Sequence, residues 1–293
     1  MKIALWIQNI KETAVSTHTE LSQFLKFLAI RAKNDTILRV SSSLSYTSLI
    51  ALVPFLAIAL AIFSAFPIFG DMREQVQNLI VQNFVPSAEQ EINTYLTQFV
   101  AAAGKLTAIG IIGLVVTAIM LLSTIENSFN FIFKVRTPRR IATKITLYWT
   151  VITLGPLLLG ALFSLRGYLY ALDLLQTHTP DILSHMLPTL ISFLILMMIY
   201  VLVPNKKVNF QHAAVGSFTA MVLFWFLRRI FSIVVIASGT YKTLYGAVAI
   251  IPISLIWMYL FWSIVIFGAV VTASIGDYKQ ERLEKSNKPE TKK

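Results

Sequence analysis

The chain of 293 residues contains no cysteine. Structural disulfides, thiolate-bound metals and a cysteine nucleophile are therefore excluded. Charge is scarce too: Asp, Glu, Lys and Arg make up 13% of the residues, against roughly 25% in a soluble domain. Acidic residues are the scarcest of these, 14 against 25 basic ones. A glycine-rich phosphate loop ending in Lys-Ser or Lys-Thr is missing, so no nucleotide-driven motor of that type is encoded. The four histidines, His18, His178, His185 and His212, stand apart without metal-ligand spacing. There is no Ser-His-Asp order with a nucleophile elbow, and the polar segments offer no carboxylate cluster for the metal ions of a nuclease. No catalytic, cofactor-binding or metal-binding residue is expected, and the chain reads as a non-enzyme.

What the chain has instead is apolar length. Hydrophobic residues form 56% of the sequence. A soluble protein of this size cannot bury that much apolar surface, so lipid must be the solvent for much of it. Six runs approach or exceed the roughly 20 residues needed to cross a bilayer: 44–69, 106–133, 145–166, 182–203, 210–237 and 247–275. The expected fold class is all-α, a polytopic bundle of about six transmembrane helices with amphipathic interfacial helices beside it. Residues 1–43 form an N-terminal segment, 44–276 the transmembrane domain, and 277–293 a basic tail that reads as disordered. Within 1–39 there is no apolar core followed by a small-residue cleavage site, so the first span is expected to act as an uncleaved insertion signal.

Orientation follows from the connections. If the N-terminus is cytoplasmic, the inside segments carry nineteen Lys and Arg and the outside segments four: Arg73, Lys105, Arg166 and Lys242. That bias places both termini inside. It also accounts for the net charge of +11. The basic residues lie in short segments between apolar runs, whereas a nucleic-acid binder would set a basic face on a water-soluble core. No nucleic-acid partner is expected.

Two amphipathic stretches do not span. Leu21, Phe24, Leu25 and Leu28 recur at helical spacing beside Lys26, Arg31 and Lys33. They predict either a helix on the anionic membrane surface or one packed under the bundle. In the outer connection 71–105, two stripes separated by Pro86 predict two helices that lie on the outer face, as a lid or a plain cap.

Ionisable groups inside spans are the most informative residues, because holding charge in hydrocarbon is expensive. Glu126 is the only acid within a spanning run, and Asn130 follows one turn later. It reads either as a site for a cation, a proton or a substrate-side arginine, or as a structural partner of Arg136, Arg139 or Arg140. Arg228 and Arg229 interrupt the fifth run. Being adjacent, they point about 100° apart; one is placed to attract an anion from a cavity, or both anchor the helix end. Pro54, Pro156 and Pro252 are predicted helix kinks. Gly268, Thr272 and Gly276 form a small-residue ridge suited to close helix packing, with dimerisation as the lesser reading. Trp149, Trp225, Trp257, Trp262, Tyr148, Tyr245 and Tyr259 read as interfacial anchors or packing.

Several of these residues carry a resemblance. Ser43-Leu44-Ser45-Tyr46-Thr47 leading to Val53-Pro54 is one segment; Glu126 with Asn130, Ile132 and Phe133 before a basic loop is another. The third runs from Tyr245-Gly246 through Ile251-Pro252 and Trp257-Met258-Tyr259 to Phe267-Gly268-Ala269. In this order, over about residues 25–278, the chain resembles the YihY/BrkB family of bacterial inner-membrane proteins. The resemblance implies six helices in the bacterial cell inner membrane and little about activity. Members have carried the label ribonuclease BN, which the residues here do not support, and others are labelled virulence or serum-resistance factors. After Gly268-Ala269 the family often has an acidic residue where this chain has Val270, so a mechanism through that carboxylate does not transfer. The function expected is a transporter or flippase-like permease for a small or lipidic, anionic substrate, with membrane lipids as partners. The alternative is a non-transporting scaffold of the cell envelope, and a homo-oligomer fits either.

Overall fold

The computed structural model describes residues 20, 22–65, 108–151, 153, 181–237 and 250–286. Among the described residues the chain is all-helical, with seven helices and no strand. They are α1 (22–34), α2 (Ile37–Ala65), α3 (Ala108–Ile132), α4 (141–151), α5 (Asp181–Leu202), α6 (Phe210–Ala237) and α7 (Ile250–Ser286). The outer connection 71–105, Pro156, most of the run 145–166 and the tail beyond 286 lie outside the described residues.

The helix limits follow local chemistry. Thr36 separates α1 from α2 by adopting a left-handed backbone, φ 48°, a conformation that costs a β-branched residue about 1–2 kcal/mol. At the end of α3, Lys134 is left-handed too, φ 52°. The Val135 N–H donates to the Asn130 carbonyl at 2.9 Å and the Lys134 N–H to that of Phe131 at 3.1 Å. This pair of bonds is a Schellman cap, with lysine in the place that most often holds glycine. Pro204 follows α5. Asn209 caps α6: its side-chain oxygen accepts from the Gln211 N–H at 2.8 Å and its carbonyl from the Ala213 N–H at 3.0 Å.

Among the described residues, three stretches are long and apolar enough to cross a membrane: Val115–Ile132, Phe210–Phe231 and Pro252–Glu281. The surface agrees. Ile112, Val116, Ile119 and Met120 on α3, and Leu190, Leu194, Met198 and Leu202 on α5, form exposed apolar stripes at helical spacing. On the same faces Thr117 and Thr124 return their hydroxyls to the carbonyls of Gly113 and Met120, each at 2.9 Å. A hydroxyl that faces hydrocarbon has to be satisfied within its own helix.

α7 is the centre of the assembly. It packs along α6 and α2 and, over shorter lengths, against α3 and α5. Ile266, Ala269, Val270 and Ala273 on α7 meet Leu44 of α2, Phe129 and Ile132 of α3, Tyr200 of α5, and Ala213 and Ala220 of α6 in one buried cluster. The backbones of α6 and α7 touch. A Cβ on Gly216 would strike the Thr272 hydroxyl and the Gly268 carbonyl; one on Gly268 would strike the Tyr200 hydroxyl and lie 2.9 Å from the Gly216 carbonyl. The ridge Gly268, Thr272 and Gly276 thus faces α6 within the chain, and its last member lies against His212. Pro252 is the third described residue of α7, which continues without interruption after it. α2 runs without interruption through Pro54.

These contacts generate a paired expectation. Gly268→Ala should lower stability by about 1–3 kcal/mol through overpacking. Gly113→Ala, where an added methyl meets nothing within 4 Å, should be neutral or raise stability by up to about 1 kcal/mol. Thermal unfolding of both variants in detergent measures the contrast.

Candidate functional site

The described charged groups buried inside the bundle fall into two knots at the end where α3 and α5 finish and α6 begins. The first is built on Glu126. It lies six residues before the end of α3, about 9 Å along the axis, and is only 3% exposed. The Tyr148 hydroxyl on α4 donates to Glu126 Oε2 at 2.5 Å. Arg139 Nε lies 3.9 Å from Oε1, and Lys144 Nζ 4.0 Å from Oε2. Lys144 also donates to the Ser123 hydroxyl at 3.0 Å and sits 5.5 Å over the Tyr148 ring.

Chain geometry explains the convergence. Residues 123 and 126 share one face of α3 by the three-residue spacing, and 144 and 148 share one face of α4 by the four-residue spacing. The loop 133–140 folds α4 back against α3, which sets these faces opposite each other. Arg139 is held from its other end, since Nη2 donates to the Leu202 carbonyl at 3.2 Å. It therefore caps the orphan carbonyls at the end of α5 while it faces Glu126. Of the three arginines proposed as partners for Glu126, Arg139 takes the role. Asn130 is a brace: its side-chain oxygen accepts from the Asn205 N–H at 2.8 Å, and Asn205 Nδ2 donates to the Thr137 carbonyl at 3.0 Å.

The knot carries unbalanced charge. One carboxylate faces two cations, and neither ion pair is as short as a hydrogen bond. The strongest bond to the carboxylate comes from a neutral phenol. A site of net charge +1 beside apolar packing favours an anion. Arg139 and Lys144 are 12% and 29% exposed, so they are the groups an anion would reach first.

The second knot centres on Arg31 of α1, 4% exposed. Its Nε donates to Asp35 at 3.1 Å, its Nη1 to Asp277 of α7 at 2.6 Å and its Nη2 to the Ile132 carbonyl at 3.0 Å. Lys206 Nζ reaches the other oxygen of Asp277 at 3.9 Å. One guanidinium thus ties α1 to the end of α3 and to α7. Phe24 and Phe27 both stack at 5.5 Å on Tyr278, and Leu28 is buried in the core. Of the two readings of the amphipathic N-terminal stretch, α1 takes the packed one.

The structure does not join Arg228 and Arg229 to Glu126. Both side chains are exposed on α6, about 27 Å along the axis from Phe210, while Glu126 lies near the end of α3. Sequence reasoning gave Arg31, Asp35 and Asp277 no joint role, and read Tyr148 as an interfacial anchor or packing without its hydrogen bond. The four-residue spacing of Arg31 and Asp35 was the available signal. Nothing local marks a partner 246 residues away.

Two variants separate the roles in the first knot. Tyr148→Phe keeps the packing and removes one hydrogen bond to a carboxylate, so it should lower stability by about 1–3 kcal/mol. Glu126→Leu leaves Arg139 and Lys144 without their anion and should destabilise further. Chloride or phosphate added to the Leu variant should recover part of the loss in thermal unfolding, because a soluble anion then fills the vacated place.

With the geometry established, known proteins supply its context. The profile of a family described as "Virulence factor BrkB" matches residues 28–293. A UPF0761 membrane protein from Photobacterium profundum is 40% identical over 274 residues, covering 92% of this chain and 86% of that protein. One from Vibrio parahaemolyticus is 38% identical, over 87% and 82% of the two chains. One from Rhodospirillum rubrum is 45% identical over 83% of this chain and 57% of its own, longer one. No solved structure matches. A family match over nearly the whole length, relatives that are membrane proteins, and helices sheathed in apolar stripes agree: the chain is a membrane protein of the BrkB family.

Proposed function

We propose that this protein is a permease that carries a small or lipidic anion across the membrane, with Glu126, Tyr148, Arg139 and Lys144 forming the polar station on the path. The observation that carries the reading is the charge imbalance around Glu126: a buried carboxylate holds two cations at 3.9 and 4.0 Å, neither in a short ion pair. An arriving phosphate or carboxylate exchanges with Glu126 for Arg139 and Lys144 at small cost, because both contacts are already long. The Tyr148 hydroxyl keeps Glu126 hydrogen-bonded during the exchange, so the acid is never left bare in an apolar setting.

The reading also takes a topology. Six spans, a bacterial inner-membrane location, and both termini and the loops 133–140 and 203–209 on the cytoplasmic side agree with nineteen inside cations against four outside. The station then opens towards the cytoplasm. Arg228 and Arg229 lie deeper along α6 and supply a second cationic step towards the outer face.

Proteoliposomes test the proposal. Flipping of a fluorescent phosphatidylglycerol, read by dithionite bleaching, and uptake of a panel of small organic anions are compared between wild type and Arg139→Gln/Lys144→Gln. The double variant should slow the transported species by about tenfold or more, as expected for loss of about 1.4 kcal/mol or more of favourable charge. A wild-type protein inert towards every anionic probe would sink the permease reading.

A further inference from the structure

The knots leave some of the cations at this end of the bundle over. Asp35, Glu126 and Asp277 are engaged by Arg31, Arg139, Lys144 and Lys206. The side chains of Lys134, Arg136, Arg140 and Lys207 are exposed, and among the described residues they make no ion pair. Three of the four lie in the loop 133–140 and the other in 203–209. The two loops are fastened together by the bonds of Asn205 to Asn130 and Thr137, and by Arg139 to Leu202. The cations therefore stand on one braced platform.

Two observations say what the platform fits. Large apolar side chains stand exposed on the helix ends that flank these loops: Phe131 on α3, Ile141 and Ile145 on α4, and Leu202 on α5. A ligand that satisfies both sets carries a phosphate and acyl chains together, which a free anion does not. The backbone of Lys134 is left-handed, at a cap position where glycine would sit without strain. The lysine stands in its place, so a charge is fixed on the rigid cap at the end of α3.

We propose that Lys134, Arg136, Arg140 and Lys207 form a docking platform for the phosphate headgroups of anionic phospholipids, whose chains lie against Phe131, Ile141 and Leu202. This goes beyond the permease reading and does not depend on it, since a lipid seated here steadies the loops that hold Arg139 whether or not anything is transported.

Native mass spectrometry of the full-length protein in a non-ionic detergent tests it, titrated with phosphatidylglycerol or with phosphatidylcholine of the same chains. Wild type should retain phosphatidylglycerol at least about tenfold more strongly, the lower end of what four cations at a headgroup surface imply. A variant combining Lys134→Gly, Arg136→Gln, Arg140→Gln and Lys207→Gln should lose that preference. One combining Lys26→Gln, Lys33→Gln, Arg39→Gln and Lys279→Gln, with the same change in net charge, should keep it. The proposal is overturned if the first variant retains the preference, if the second loses it equally, or if equimolar inorganic phosphate displaces the lipid. Thermal unfolding of Lys134→Gly alone guards against a misfolded platform: the single variant should melt no lower than wild type while it binds less phosphatidylglycerol, and unchanged binding counts against the proposal.

Discussion

The direct contact of α6 with α7 is the constraint on which the other arrangements rest. Where Gly216 meets Gly268, no side chain intervenes, and Thr272 and Tyr200 close over the crossing. Between helices in lipid there is little hydrophobic drive, so such close approach and its dispersion contacts carry the association. Once these two helices are seated, α7 has a fixed rotation. Its remaining faces are then assigned: Val265 presents its carbonyl to the Tyr200 hydroxyl of α5 at 2.9 Å, Trp262 donates to Ser48 of α2 at 2.9 Å, and Asp277 meets Arg31. A small rotation of α7 would break all three.

A second regularity concerns the ends of helices. Hydrocarbon cannot satisfy the carbonyls that a helix leaves open at its C-terminus. Here two guanidinium groups do so, Arg31 at α3 and Arg139 at α5. Each keeps a second hand on a carboxylate, so backbone satisfaction and charge neutralisation are one event. The first knot departs from balance by one positive charge, with one carboxylate to two cations. The second has two carboxylates to its two cations and reads as scaffolding.

Much of this was legible from local pattern. The described parts of α3, α5 and α6 fall on the second, fourth and fifth apolar runs, because apolar length of this kind encodes a helix. The first and last helices extend beyond their apolar runs, each on one side. α2 starts at Ile37 and α7 continues to Ser286, since helices extend beyond hydrocarbon wherever polar residues still propagate them. Glu126 stood out by its rarity, and its pairing with the following arginines was open to inference from nearness in sequence. Tyr148 was not, because an aromatic residue in a span looks the same whether it packs or donates. Gly216 was equally silent: an isolated helical glycine has no signature until its partner ridge is known to face it. Periodicity tells which side of a helix is apolar, and not which neighbour will cover it.

The length of α7 has a mechanical corollary. Its 37 residues extend about 55 Å at 1.5 Å per residue, while the hydrocarbon layer is about 30 Å thick. The excess is a rigid lever, with no break between the fulcrum at Gly268 and the far end that carries Asp277 and Tyr278. Gly268 lies midway along α7, so a pull on one arm turns the other by the same angle. α1, which grips that end through Arg31, Phe24 and Phe27, would feel, and transmit, the state of the interior.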